Sequence, residues 1–260
     1  MALYFVDVEA TGIDLDNDRI IQISYLKKEG DLFSVSSDLC YTDIKMSYAA
    51  IGVHHITPEM IEDKLWPYET DTFMELEKNN TPSNYFISHS NELDLAMIRN
   101  EELEIKMKLI DTDRCARHLL RDAEDYKLQT LRYQYGLYKK ENAFAKKLGL
   151  EALTPHDALS DVIWHYLLFE VLMEKVDNDI EKLVALTGTP VLLEQITFGK
   201  YKGSTFEELF ETNPGYFVWM YNTMGREWED LEYTAAYWLQ KNPQYWKKAQ
   251  EERKHASWFE

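Results

Sequence analysis

Leu3-Tyr4-Phe5-Val6-Asp7-Val8-Glu9-Ala10-Thr11-Gly12 is the stretch from which both the fold and its chemistry are read. The run Leu3 to Val8 is apolar, aromatic and β-branched, which predicts a buried strand. Asp7 and Glu9 stand two residues apart on it, so their carboxylates share one face of a sheet. Two carboxylates side by side in an apolar strand repel, and one keeps its proton unless a cation lies between them. Oxygen ligands of this kind suit Mg²⁺, with Mn²⁺ as a substitute. Asp-x-Glu also arises by chance in an acid-rich chain, but its place at the end of an apolar strand lifts it above that background.

Outward from this strand, Ile20 to Leu26 reads as a second strand, entered from the turn-rich stretch Gly12 to Asp18, and Leu32 to Tyr41 as a third. A helical segment near Phe73 to Lys78 leads to a fourth strand, Asn84 to Ser88. Asp94 to Asn100 reads as helix and Lys106 to Thr112 as a fifth strand. Helices follow at Arg114 to Arg121, Leu128 to Tyr135 and Thr154 to Lys175. The last has Thr154 as N-cap, Pro155 at the first helical position and Asp157 three residues after the cap. Three strands on short turns, then strands alternating with helices, predict an α/β domain with a mixed five-stranded sheet flanked by helices. It is expected to span residues 1–176, followed by a helical linker at 177–189 and a small aromatic-rich α+β domain at 190–260.

The chain is 45% hydrophobic and 28% charged, the composition of an ordinary soluble globular protein. Its N-terminal run is too short and too acidic for a signal peptide. No apolar stretch approaches the roughly 18 residues of a spanning helix. Cys40 and Cys115 have no metal-ligand spacing and fit a reducing compartment. A cytoplasmic protein without membrane contact is expected. The net charge of −18 disfavours a long sequence-independent clamp on duplex nucleic acid. A site that grips a few nucleotides at one end, with bound cations offsetting its own carboxylates, is compatible with that charge.

Two further acidic segments join the first. Asp94 closes His89-Ser90-Asn91-Glu92-Leu93-Asp94, in the first turn of a helix, where an isolated acid is ordinarily favoured by the helix dipole. Asp161 closes His156-Asp157-Ala158-Leu159-Ser160-Asp161 and sits among apolar residues, so it requires a partner or a solvent-facing position. Five residues of helix turn through about 140°, so spacing alone does not bring His156 and Asp161 together. Four acids and one histidine are nevertheless the set that two-metal hydrolysis of a phosphodiester needs.

These three segments, in order, resemble the three motifs of the DEDDh group of DnaQ-like 3′-to-5′ exonucleases, over roughly residues 1–176. The histidine five residues before the last aspartate distinguishes this branch from the one using tyrosine. One departure is Ser90, which intervenes in His89-Ser90-Asn91 where the family often has His-Asn. The resemblance implies a ribonuclease H-like fold and two Mg²⁺ ions. Asp7, Glu9 and Asp161 are expected around the ion that binds the attacking water, with Asp94 near a second ion bridged by Asp7. His156 is expected to act as general base, a role suited to an unperturbed imidazole pKa near ~6.5. The backbone of Ala10, Thr11 and Gly12 is expected to meet the terminal 3′-hydroxyl. Ile13, His54, His55 and Asn91 are expected beside the last nucleotides, although Ile13 serves equally well as a core side chain. His54 and His55 fall in Val53 to Glu59, which looks like the family's stretch between its first two motifs. Adjacent residues on a strand point to opposite faces, so the two histidines do not form a metal pair. The implied activity is release of nucleoside monophosphates from single-stranded or frayed DNA 3′ ends, in repair or recombination. An exoribonuclease, a polymerase-associated proofreading subunit and a silent binding subunit are the alternatives; the complete acid set argues against the last.

Near the C-terminus, Phe198-Gly199-Lys200-Tyr201-Lys202-Gly203 and then Pro214-Gly215-Tyr216-Phe217-Val218-Trp219 resemble the accessory domain of exodeoxyribonuclease X-like proteins. Lys200 and Lys202 are candidate phosphate contacts, and the aromatics serve either as stacking platform or as core. The tail, Ser257-Trp258-Phe259-Glu260, offers aromatics for docking on a protein partner.

Overall fold

The computed structural model of the chain describes residues 1–256, so the aromatic tail lies outside the described residues. Two compact units divide between Thr187 and Gly188.

The first unit opens with β1 (Leu3–Ala10), β2 (Ile20–Glu29) and β3 (Leu32–Leu39) as an antiparallel meander. Short helices α1 (Tyr48–His54), α2 (Pro58–Ile61) and α3 (Asp71–Lys78) follow. Then come β4 (Tyr85–Ser88), α4 (Glu92–Asn100), β5 (Lys108–Asp111) and α5 (Thr112–Leu119). The unit closes with α6 (Leu128–Gln134), α7 (Glu141–Lys147), α8 (Ala158–Lys175) and α9 (Ile180–Thr187). The sheet order is β3-β2-β1-β4-β5, with β1 parallel to β4 and β4 parallel to β5. This is the mixed five-stranded sheet predicted.

Period-two alternation sorts β1 between two cores. Leu3 and Phe5 join the cluster built around α8, while Tyr4, Val6, Val8 and Ala10 join the one built with Phe73 and Met97 on the opposite face. Phe5 meets Tyr166 and Phe169 of α8 edge-on, at 5.4 and 5.2 Å between ring centroids. Asp7 and Glu9, in step with Leu3 and Phe5, therefore face α8 as well. Helix α8 is apolar nearly all round because α5, α6 and α7 cover its other side. A buried ion pair ties these helices together: Arg132 Nε donates to Glu141 Oε2 at 2.6 Å, and Trp164 Nε1 donates to the same oxygen at 2.7 Å.

Three expectations change. Helix α8 starts at Ala158, not Thr154, with Asp157 as its cap accepting from Ser160 N. His156 has φ 60°, and this left-handed residue breaks any helix that Thr154 would have begun. Helix α9 packs on β5, α5 and α8, burying Leu183, so the first unit runs through Thr187 rather than ending at 176. Its sequence looked like a linker because only one face is apolar. The second unit is helical, not α+β: α10 (Phe206–Thr212), α11 (Pro214–Asn222), α12 (Glu229–Gln240) and α13 (Pro243–Ala256). Among the described residues its strand pairing is confined to the single bridge Gln195–Thr205, because the glycine-punctuated stretch between them turns back at once. Its core gathers Phe206, Leu209, Phe217, Leu231, Ala235 and Leu239, the last three at helical spacing on α12.

Candidate active site

Strand β4 pairs with β1 only as far as Phe5–Ile87, so the C-terminal half of β1 has an open edge on that side. Such a divergence at the carboxyl ends of parallel strands is where open α/β sheets hold their ligands. Asp94, in the first turn of α4, fills part of the gap: Val8 N donates to its Oδ1 at 3.1 Å. Helix α8 runs antiparallel to β1, since Phe169 meets Phe5 while the start of the helix meets the end of the strand. Asp161 is thereby carried to Asp7 and Glu9, and single oxygens of the three carboxylates lie within 4.8 Å of one another. Three of the four predicted acids converge directly; Asp94 stands beside them, turned to the β1 backbone.

The four acids share one electrostatic condition. Burial, then Asp161, Asp94 and Glu9, raise the Asp7 carboxyl well above its ordinary range. Burial and the charges of Asp161, Asp94 and Asp157 push Glu9 up to about 8. Burial first, with neighbouring acids adding, raises Asp94 and Asp161 to about 7 each. For Asp161 the charge of Arg132 and a backbone hydrogen bond from His156 oppose the rise. Arg132 is committed to Glu141, and Asp161 Oδ1 is buried with no hydrogen-bond partner. A site with crowded carboxylates and an orphaned oxygen fits a hard divalent cation.

A measurable consequence follows for the metal-free protein. A raised acid binds its proton more tightly when folded, so stability falls as pH rises through the window between the unfolded and folded pKa values. Below about pH 6.5 the histidines His54, His89 and His165, all pushed down by burial, act in the opposite direction. Between about pH 6.5 and 8.5 the carboxylates dominate. Melting temperature in EDTA should therefore drop across that range, and Mg²⁺ or Mn²⁺ should restore it most at the alkaline end. A flat profile in EDTA would contradict the crowding described here.

His156 is exposed on the turn before α8, from where its backbone opposes the rise of the Asp161 carboxyl. The helical rotation expected between the two does not arise, because residues 154–157 are not helical. Thr11 is wholly buried: its Oγ1 donates to Asp18 Oδ1 at 2.5 Å and accepts from Arg19 N at 3.1 Å. That carboxylate lies against Gly12, where an added Cβ would stand 2.4 Å from Asp18 Oδ2. Ala10 ends β1 and is buried. Ile13 is 86% exposed, which removes the core reading, and it lines an open cleft of about 590 Å³ together with Asn91. Ser90 absorbs the extra residue of its motif in a left-handed conformation, φ 63°, and its N–H, like that of Asn91, donates to Asp111. His54 and His55 end α1 rather than lying on a strand. His54 is buried with Nδ1 accepting from Ile56 N, while His55 is an exposed left-handed cap. Lys200 and Lys202 are exposed in the second unit.

Two participants escaped the sequence reading. His165 is 1% exposed with Nε2 3.7 Å from Asp7 Oδ1, and burial and His89 push it down to about 3, so it brings Asp7 no counter-charge. Its signal was its place four residues after Asp161, on the same helix face. Gln22, paired with Glu9 across β1 and β2, donates to Asp157 Oδ1 at 2.9 Å and accepts from Ala158 N, strapping the strand to the start of α8. A lone glutamine on an apolar strand gave no such hint.

Comparison with known proteins agrees with this geometry. Residues 4–169 match the family described as Exonuclease, and residues 196–223 match the Exodeoxyribonuclease X-like C-terminal family. Exodeoxyribonuclease 10 of Escherichia coli K12 is 25% identical over 242 residues, covering 92% of this chain and 99% of the relative. The PolC-type DNA polymerase III of Clostridium perfringens is 26% identical over 165 residues, covering 60% of this chain and 10% of the polymerase. Exonuclease X in complex with 5′ overhanging duplex DNA shares the fold at a TM-score of 0.52 and 22% identity, covering 72% of this chain and 99% of that one. Exonuclease I of Escherichia coli with a dT13 oligonucleotide does so at 0.53 and 16%, covering 70% and 43%. On the strength of the match through residues 4–169, this chain belongs to the Exonuclease family and is a nuclease.

Proposed function

We propose that the chain is a metal-dependent 3′-to-5′ exodeoxyribonuclease that releases nucleoside monophosphates from DNA ends. The observation that carries this reading is the meeting of Asp7, Glu9 and Asp161 within 4.8 Å at the open end of β1. These three would hold one divalent cation, Mg²⁺ or Mn²⁺, and Asp7 with Asp94 a second. Bound there, the cations supply Lewis-acid charge stabilisation and make water a competent nucleophile at neutral pH. The protein's own residues do the rest. Asp7 and Glu9 are fixed by the β1 pleat, and Asp161 by α8, so the ligand oxygens are in place before substrate arrives. An imidazole nitrogen of His156 takes the proton of the attacking water, from the turn that leads into the helix carrying Asp161. Ile13 and Asn91 offer the terminal nucleotide an apolar edge and an amide, and the Ala10 to Gly12 backbone lies alongside. His54, buried and engaged with Ile56, shapes this wall rather than touching substrate; His55 is free to do so.

DNA is favoured over RNA because the relatives bear the names of an exodeoxyribonuclease and a DNA polymerase. The PolC-type match, one tenth of that polymerase, supports a proofreading module as second reading. End-labelled DNA and RNA strands incubated with Mg²⁺ decide the substrate. Mononucleotide release from DNA, absent with Asp7→Ala, is expected; release from RNA alone, or from neither, would overturn the assignment.

A further inference from the structure

The second unit places its aromatics unevenly. Phe206, Phe210 and Phe217 pack together in its interior, but Trp219, on the outer side of α11, is 43% exposed. Tyr216 lies one turn earlier on the same helix, its ring centroid 5.0 Å from that of Trp219. Tyr201 meets Tyr216 edge-on at 5.0 Å and is held by Asn213 Nδ2, which donates to its hydroxyl at 3.1 Å. Lys200 Nζ sits 4.6 Å from the Tyr201 ring and 5.8 Å from the Tyr216 ring. The result is a continuous row of rings, Tyr201-Tyr216-Trp219, with a cation at one end.

Charge is equally uneven. The segment Ile196 to Phe206 carries Lys200 and Lys202 and no acid, and α11 carries no charged side chain at all. In a chain of net charge −18, with carboxylates crowding the active site, two neighbouring segments free of acids stand apart. Between the two segments α10 carries Glu207, Glu208 and Glu211, of which Glu208 is spent capping the helix by accepting from Thr205 N. An exposed tryptophan beside tyrosine faces and lysines is the composition of a stacking platform, on which unpaired bases lie flat while the lysines meet phosphates. Duplex DNA hides its base faces and offers such a row little.

We propose that Tyr201, Tyr216 and Trp219, with Lys200 and Lys202, form a binding surface for single-stranded DNA, distinct from the carboxylate site. It deepens the nuclease reading, on which it rests for the choice of DNA: the surface binds the single-stranded polymer that the nuclease unit degrades. A second binding module on the same chain raises the local concentration of that polymer without any new contact in the carboxylate site.

The test uses the full chain in EDTA, with fluorescence anisotropy of a labelled long oligothymidylate and of trithymidylate. Trp219→Ala should weaken binding of the long strand by about tenfold or more, and Trp219→Phe should recover most of it. Lys200→Ala with Lys202→Ala should lower the slope of log affinity against log salt by about 1.4, from ~0.7 per phosphate contact. Trithymidylate cleavage in Mg²⁺ should be unchanged in all three variants, because the substituted side chains lie outside the carboxylate site. Equal long-strand affinity in parent, Trp219→Ala and the lysine pair would overturn the proposal and leave the patch to a protein partner. So would a loss that falls equally on the trinucleotide. Should circular dichroism show Trp219→Ala misfolded, the lysine pair, exposed and outside the core, decides alone. Failure of the parent to cleave trithymidylate would strike the nuclease reading instead, since the binding comparison is made without cleavage.

Discussion

Asp7→Asn should abolish mononucleotide release and, in the same protein, raise the melting temperature of the metal-free form at pH 8. The two effects have one cause. Asp7 lies centrally among the carboxylates, with burial, Asp161, Asp94 and Glu9 all opposing its ionisation. A neutral amide of the same shape removes that repulsion, so the folded state gains where the parent loses most. In the proposed two-cation site the same loss of charge would remove the ligand common to both ions. Transition-state stabilisation from such a site is worth several kcal/mol, and each 1.36 kcal/mol is tenfold in rate, so a fall of at least about a thousandfold is expected. Rate assays on end-labelled DNA and thermal melts in EDTA check the two halves. A variant that loses activity without gaining metal-free stability would show that Asp7 carries no excess charge energy in the folded protein.

The second large effect belongs to His156. Removing a general base costs about 10²–10⁴ in rate. The substitution should be His156→Asn, because the residue holds a left-handed backbone, φ 60°, that asparagine adopts readily and alanine resists. Asparagine keeps the backbone N–H that faces Asp161, so the acid cluster and its metal affinity should stay as they are. Single-turnover cleavage together with metal titration separates the roles. Turnover at the parental level would remove His156 from the chemistry. Weakened metal binding would make it a support for Asp161 instead.

How much of this was legible varies with the range of the interaction responsible. Strand β1 was readable because its apolar run and the Asp7–Glu9 spacing are both local. The approach of Asp161 was not readable from spacing, since it depends on α8 crossing the sheet antiparallel to β1. Order of motifs supplied what periodicity lacked. The start of α8 was misplaced because Thr154-Pro155 is a good local signal, whereas the left-handed turn at His156 is favoured by distant groups. Gln22, far away in sequence on β2, helps to fix Asp157 as the cap. Ile13 was undecided between core packing and contact with the last nucleotides because a single apolar residue in a turn carries no periodicity. Helix α9 looked like a spacer since its partners on β5 and α5 are far away in sequence. In the second unit the expected α+β mix gives way to helices, and the packing of Phe206 against Phe217 shows aromatics serving the core between them.

The distance along the chain between Asp7 and Asp161 has a cellular meaning. A ribosome extends the polypeptide from its N-terminus, and the last of the clustered acids is carried by a helix that has nothing to pack on until the sheet has formed. Chains that end before α8 lack Asp161 and should therefore be inert toward DNA, so that destructive chemistry waits for the closing helix of the first unit.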